Sequence, residues 1–134
     1  MIIHTRWLMG TAALFNWSFV LCFLLLNTQL SALLQLDSAS GSNLAMRDLA
    51  LALVATFGAA YLYAAIDPIR GRPYIVLGVL GKSLAVLTIF THWLVGNIGW
   101  QLPVLLIGDV LYSLLFINFL SRHRAIRPPS LHKA

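Results

Sequence analysis

Residues 74–95 read Tyr-Ile-Val-Leu-Gly-Val-Leu-Gly-Lys-Ser-Leu-Ala-Val-Leu-Thr-Ile-Phe-Thr-His-Trp-Leu-Val, an apolar run whose ionisable members are Lys82 and His92. About 20 helical residues cross the roughly 30 Å hydrocarbon core of a bilayer. Backbone in lipid must satisfy its own hydrogen bonds, so such a run predicts a transmembrane helix. Working outward, three more runs qualify. Residues 7–26 carry only Thr11, Asn16 and Ser18 as polar interruptions, residues 44–66 become free of charge beyond Asp48, and residues 102–120 hold a single charge, Asp109. The expected fold is all-α: a four-helix transmembrane bundle, up-down-up-down, in one domain over residues 1–134, with a basic C-terminal tail at 121–134.

Composition agrees. Of the 134 residues 60% are apolar and only 10% are charged, against about 25% charged in soluble domains, so there is too little charge to solvate an outer surface. The apolar part of the first run is about 20 residues, longer than the core of a secretory signal, and predicts an uncleaved span. The net charge of +5 would suggest nucleic acid in a soluble chain. Here the basic residues flank the apolar runs and make no stripe interleaved with aromatics, so no nucleic-acid partner is expected. Four spans place the N-terminus, the 67–73 turn and the C-tail on one side. That side carries Arg6, Arg70, Arg72, Arg122, Arg124, Arg127 and Lys133, and the other carries Arg47. The positive-inside rule then predicts cytoplasmic termini, with the basic tail against anionic headgroups. Trp7, Trp93, Trp100, Tyr63 and Tyr74 fall near span ends, as an interfacial aromatic belt requires.

The connections differ in kind. Residues 27–43 form a long connection, half apolar at 31–36 and loop-like at 37–43, with Ser42 or Asn43 placed to cap the next helix. Asp67-Pro68-Ile69-Arg70-Gly71-Arg72-Pro73 is a tight turn between two helices. Gly96-Asn97-Ile98-Gly99 closes the last hairpin.

Lys82 and Asp109 are the informative residues. A charge at mid-span costs about 2.5–3.5 kcal/mol on insertion scales, so such residues face the bundle interior and pair. Lys82 lies ten residues beyond Arg72 and Asp109 eleven before Leu120, which puts both about 15–16 Å from the same boundary. A buried Lys82–Asp109 ion pair, or its neutral hydrogen-bonded form, is expected. The same count selects Asn16, ten residues after Arg6, and Thr56, eleven before Asp67. Asn16, Thr56, Lys82 and Asp109 thus form one expected polar layer, with Tyr112 one turn beyond Asp109. The stripes around these residues, rich in small side chains, are expected to point inward: Ala12 and Ala13 with Asn16, Ala52, Ala59, Ala60 and Tyr63 with Thr56, Gly78 and Ala85 with Lys82, and Tyr112 and Ser113 one turn beyond Asp109.

Other chemistry is poorly represented. Cys22 is the only cysteine, which excludes an internal disulfide and reads as a small hydrophobe. His92 stands alone, no metal-ligand spacing occurs, and no metal or cofactor is expected. Asp67 reads as a turn cap. Gly81-Lys82-Ser83 lacks the four-residue spacer of a phosphate loop and lies mid-span, and no nucleophile elbow or HExxH is present.

The run Tyr61-Leu-Tyr-Ala-Ala-Ile-Asp-Pro-Ile-Arg70, with Gly81-Lys82 and Gly108-Asp109, resembles small bacterial four-helix membrane proteins of the DoxX-like layout over about residues 7–120. That resemblance implies a bacterial inner membrane and carries over no catalytic role. Three functional readings remain. The first is a binding or accessory protein whose midplane layer holds a lipid-like ligand or a partner membrane protein. The second is an enzyme acting on a lipid, sterol or quinone, with Asp109 and Lys82 as acid–base pair and Tyr112 or Asn16 orienting substrate. The third is a proton-coupled transporter built as a homo-oligomer.

Overall fold

The computed structural model describes residues 2–38 and 40–123. The expectations for the tail beyond His123, including Arg124, Arg127 and Lys133, lie outside the described residues. The described chain forms six helices: α1 (Ile2–Leu25), α2 (Asn27–Leu33), α3 (Gly41–Ile66), α4 (Arg72–Leu94), α5 (Gln101–Leu105) and α6 (Ile107–Arg122). Four segments are long and apolar enough to cross a membrane: Ile3–Leu25, Gly41–Ile66, Arg72–Leu94 and Gln101–Arg122. The last is α5 and α6 in line, interrupted at Leu106. Pro103 stands in its first turn, where a missing N–H leaves no hydrogen bond unmade. Each span has the expected core and extends beyond it by a few residues at one or both ends, as helix ends commonly do.

The polarity is inverted relative to a water-soluble bundle. Leu14, Leu24, Leu84, Leu87 and Leu114 are exposed, while Asn16, Lys82 and Ser113 are buried. Lipid is the solvent that accepts this arrangement, because only polar groups need shelter from hydrocarbon. Trp7, Trp93, Trp100, Tyr63 and Tyr74 are all exposed near helix ends.

The 27–43 connection departs from the expected loop. Its first part is helical: the chain bends at Leu26 (φ −121°, ψ 33°) and α2 follows. Leu34, just beyond α2, is buried with Phe23 and Leu51, so burial of apolar area holds the segment on the bundle. Gln35 adopts φ 52°. Its N–H bonds the Ala32 carbonyl at 3.3 Å and the Leu36 N–H bonds Ser31 at 2.9 Å, the hydrogen bonds of a Schellman ending. The same ending closes α4 at Gly96 (φ 81°), with bonds to Trp93 and His92. The start of α3 also differs from expectation: the capping position is Ser40, without a side-chain bond, rather than Ser42 or Asn43.

The α3–α4 turn follows from Asp67 and Gly71. Asp67 Oδ1 accepts the Ile69 and Arg70 N–H groups at 3.2 and 3.1 Å. A Cβ at Gly71 would stand 2.5 Å from the Ala64 Cα, so only glycine lets α3 and the start of α4 approach here. At the same end Arg72 donates to the carbonyls of His123 and Leu120. These are orphan carbonyls of the α6 C-terminus, where a cation is also favoured by the helix dipole.

Packing is concentrated at the two ends of the bundle. One cluster, at the turn end, joins Met9, Ala12 and Ala13 of α1, Tyr61 and Ala64 of α3, Ile75 of α4 and Phe116 of α6. The other, at the α2 end, joins Phe23, Leu34 and Leu51. Between them lies the layer that holds the candidate site.

Candidate functional site

Lys82 and Asp109 meet as an ion pair through Lys82 Nζ and Asp109 Oδ1, with side chains 7% and 17% exposed. A second bond reaches Lys82 Nζ from α1, where Asn16 Oδ1 accepts at 3.4 Å. The Asn16 amide nitrogen then donates to the Val54 carbonyl of α3 at 3.1 Å. Three helices and the α6 carboxylate are thereby joined in one network at mid-bundle. Its two charges neutralise each other, as a charge sheltered from lipid requires.

The ammonium is also ringed by aromatics. Nζ stands 5.8 Å from the Phe15 centroid, 5.5 Å from Tyr61 and 5.8 Å from Tyr112, distances at which ring quadrupoles attract a cation. Tyr112 packs on Phe15 and Phe116, and Tyr61 packs edge-on against Phe116. Glycines make room for these rings. A Cβ at Gly78 would lie 2.6 Å from Tyr61 Cε1, and one at Gly108 would lie 2.6 Å from Phe15 Cζ. The Gly-Val-Leu-Gly-Lys stretch of α4 is therefore a packing surface for Tyr61 and Phe57 rather than a phosphate loop.

Of the five sequence-selected residues, the bundle brings together Asn16, Lys82, Asp109 and Tyr112. Thr56 does not join them. It is exposed, and its hydroxyl bonds the Ala52 carbonyl of its own helix at 2.8 Å. Ala52, Ala59 and Tyr63 are exposed with it, while α3 buries Leu51, Gly58, Tyr61 and Ala64. The depth assigned to Thr56 was sound and the face was wrong. A threonine satisfies itself on its own backbone and so can face lipid at small cost, which neither Asn16 nor the charged pair can do. On α4 the stripe holds in part: Gly78 and Lys82 are buried and Ala85 is exposed.

Two contributors were missed in the sequence. Trp17 donates its indole N–H to the Ala55 carbonyl at 3.2 Å, clamping α1 to α3 beside Asn16. Tyr61 is fully buried, and its hydroxyl has no hydrogen-bond partner among the described residues. Ser113, expected on the inward face one turn beyond Asp109, is buried, and its Oγ has no hydrogen-bond partner among the described residues. The spacing Leu51, Gly58, Tyr61, Ala64 carries the signal that would have found Tyr61, since it recurs at three and seven residues and places a small residue beside each large one.

The network floors a cavity of about 300 Å³. Its walls include Phe19, Val54, Phe57 and Leu105, and the lining residues with polar side-chain groups are Asn16, Tyr61, Lys82 and Asp109. Leu53 of α3 and Ala85 of α4 line it and are exposed, so it reaches the lipid-facing surface at these two helices. A second hollow of about 380 Å³ shares Phe19, Ala50, Leu105 and Leu106 with the first and reaches Asp37, Asn43 and Arg47 at the α2 end. Arg47 binds Asn27 Oδ1 at 2.8 Å, Ser31 Oγ at 3.2 Å and the Asp37 carbonyl at 3.1 Å, so it ties α2 and the following loop over that end.

His92 lies apart from the layer, exposed, with Nδ1 2.9 Å from the Asn97 side-chain nitrogen. Cys22 is exposed on α1. Among the described residues no three His, Cys, Asp or Glu side chains gather as a metal site would require.

Comparison with family models, curated proteins and solved structures finds no match to this chain. What the chain itself shows is a small multi-pass membrane protein, an all-α bundle of four membrane-length helices.

Proposed function

We propose that this protein is a membrane-embedded binding protein for a lipid-like amphiphile, held in the cavity above the Lys82–Asp109–Asn16 network. The observation that carries the reading is the cavity itself: apolar and aromatic walls, a few convergent polar groups at one end, a size of about 300 Å³, and an edge that reaches the lipid-facing surface at α3 and α4. This is the general form of small-molecule sites. A bundle whose polar layer served packing alone would have closed over the pair, since voids cost stability. The proposed setting is a bacterial inner membrane with cytoplasmic termini, supported by the Arg and Lys asymmetry of the connections and by the DoxX-like resemblance.

An enzymatic reading has one observation in its favour: an acid and a base, Asp109 and Lys82, both line the cavity. Binding comes first because Lys82 and Asp109 are bonded to each other and engaged in structure.

The test is native mass spectrometry of the gently extracted protein, with lipid analysis of what co-purifies. The expected result is one specifically retained apolar molecule, lost in Asp109→Asn. A protein carrying only bulk phospholipid in both forms would refute ligand binding and leave the network as a packing device.

A further inference from the structure

The charges and hydrogen bonds of the cavity floor select a headgroup. Among the described residues, Lys82 and Asp109 are the only formally charged ones that line this first cavity, and they neutralise each other; Asp37 and Arg47, of opposite charge, line the adjoining hollow. A bound anion or cation would bring an unbalanced charge to mid-membrane, where it is strongly disfavoured. The hydrogen-bonding capacity is also specific. A lysine ammonium has three N–H groups, and two are taken by Asp109 Oδ1 and Asn16 Oδ1. Asn16 uses its oxygen on Lys82 and one N–H on the Val54 carbonyl. Asp109 uses Oδ1, which leaves Oδ2 as an acceptor without a partner among the described residues. The ion pair thus keeps an N–H of Lys82 and the Oδ2 of Asp109 open at zero net charge. A hydroxyl complements both, accepting from Lys82 and donating to Asp109.

The rest of the hollow sets the orientation. From the floor, the space runs toward the α2 end past Phe19, Ala50, Leu105 and Leu106. Val54 lies eleven residues beyond Asn43 on α3, about 16 Å of rise. A molecule bound with its head on the floor lies with that head at mid-membrane and its tail toward the boundary, the reverse of a bilayer phospholipid. Only a weakly polar, uncharged head can leave the interface for that position.

Resting on the binding reading above, we infer that the ligand class is a neutral apolar alcohol of isoprenoid or sterol type, bound head-inward, and not a phospholipid or another anionic amphiphile. Three probes with one tail test this on the purified wild-type protein in nanodiscs: farnesol, farnesyl monophosphate and farnesene, with occupancy read by native mass spectrometry. Farnesol is expected to bind about tenfold or more tightly than farnesene, the worth of roughly two modest hydrogen bonds, and more tightly than the phosphate. Asp109→Asn leaves Lys82 unbalanced and is expected to reverse the preference toward the phosphate. Wild-type binding of farnesyl monophosphate as tight as that of farnesol would overturn the headgroup assignment while leaving a lipid site in place. Equal binding of farnesene would do the same. Failure of all three probes to bind the folded wild-type protein would overturn the binding reading itself. The wild-type comparison decides between these outcomes even where Asp109→Asn does not fold.

Discussion

Removing one member of the Lys82–Asp109 pair and removing both should have very different consequences. Lys82→Met keeps most of the side-chain volume and can keep contact with Phe15, Tyr61 and Tyr112 through sulfur. It leaves Asp109, 17% exposed, without its cation, and frees Asn16 Oδ1. Asp109→Leu leaves the lysine, 7% exposed, with Asn16 at 3.4 Å as its one remaining bonded partner. Breaking a buried pair from one side costs about 3–5 kcal/mol. The partial opening of Asp109 to the cavity puts Lys82→Met at the lower end, about 3 kcal/mol, and the deeper burial of the lysine puts Asp109→Leu toward about 4 kcal/mol. Additivity would then predict about 7 kcal/mol for the double variant. Exchange of a whole buried pair for apolar residues is often close to neutral, so the expected loss for Lys82→Met with Asp109→Leu is about 1–2 kcal/mol, most of it from stranding Asn16. Equilibrium unfolding of the four proteins in mixed micelles measures the cycle. A double variant as unstable as the sum of the singles would show that the two residues do not act as a pair. The same double variant, folded and with its function kept, would exclude acid–base chemistry by these residues.

Further outcomes follow from local geometry. Gly78→Ala should cost about 1–3 kcal/mol, because its Cβ would press on Tyr61 at 2.6 Å and Tyr61 is held by Phe116; Gly81→Ala should cost less, since it meets the tip of Phe57 at the cavity wall, and thermal unfolding in detergent ranks the two. Gln35→Gly should stabilise by up to about 1 kcal/mol, as it removes a side chain from φ 52°, and an unchanged melting temperature would count against that strain. Arg47→Ala should lose about 1–2 kcal/mol and speed amide exchange in α2, which it ties down through Asn27 and Ser31; unchanged exchange would mean that burial of Leu34 alone holds the segment. In a Cys22→Ser background, single cysteines at Ser40 and Ile69 should label from opposite sides of the membrane, Ile69 from the cytoplasm, and same-side labelling would refute the four-span arrangement.

Much of the architecture was legible because lipid imposes a simple rule. Apolar length reports a span, and the residues 74–95 alone demanded one. Depth was legible too, because a helix rises by a constant amount per residue: the counts that paired Lys82 with Asp109 and added Asn16 describe a network that the bundle does form. The helical face was harder. In water the apolar stripe marks the inside of a helix, but in lipid both faces are apolar and the periodic signal fades. Small residues had to stand in for it, and they succeeded at Ala12 and Ala13 and failed at Ala52 and Ala59.

By itself, then, the sequence determined the solvent, the number of spans and the level at which charge must be paired. Each of these depends on the composition of one segment, or on a length along it. Only the tertiary structure decided which residues surround Lys82, that Thr56 faces outward, and that α2 folds back over one end. It also decided that the middle of the bundle stays open between two packed ends. Those outcomes depend on how helices distant in the chain rotate and tilt against one another, as Gly78 yields to Tyr61 and Gly108 to Phe15. Side chains on α4 also lean toward its N-terminus, which carries the Lys82 ammonium back to Tyr61, six residues before Asp67. A count along the backbone follows Cα atoms and does not register that lean.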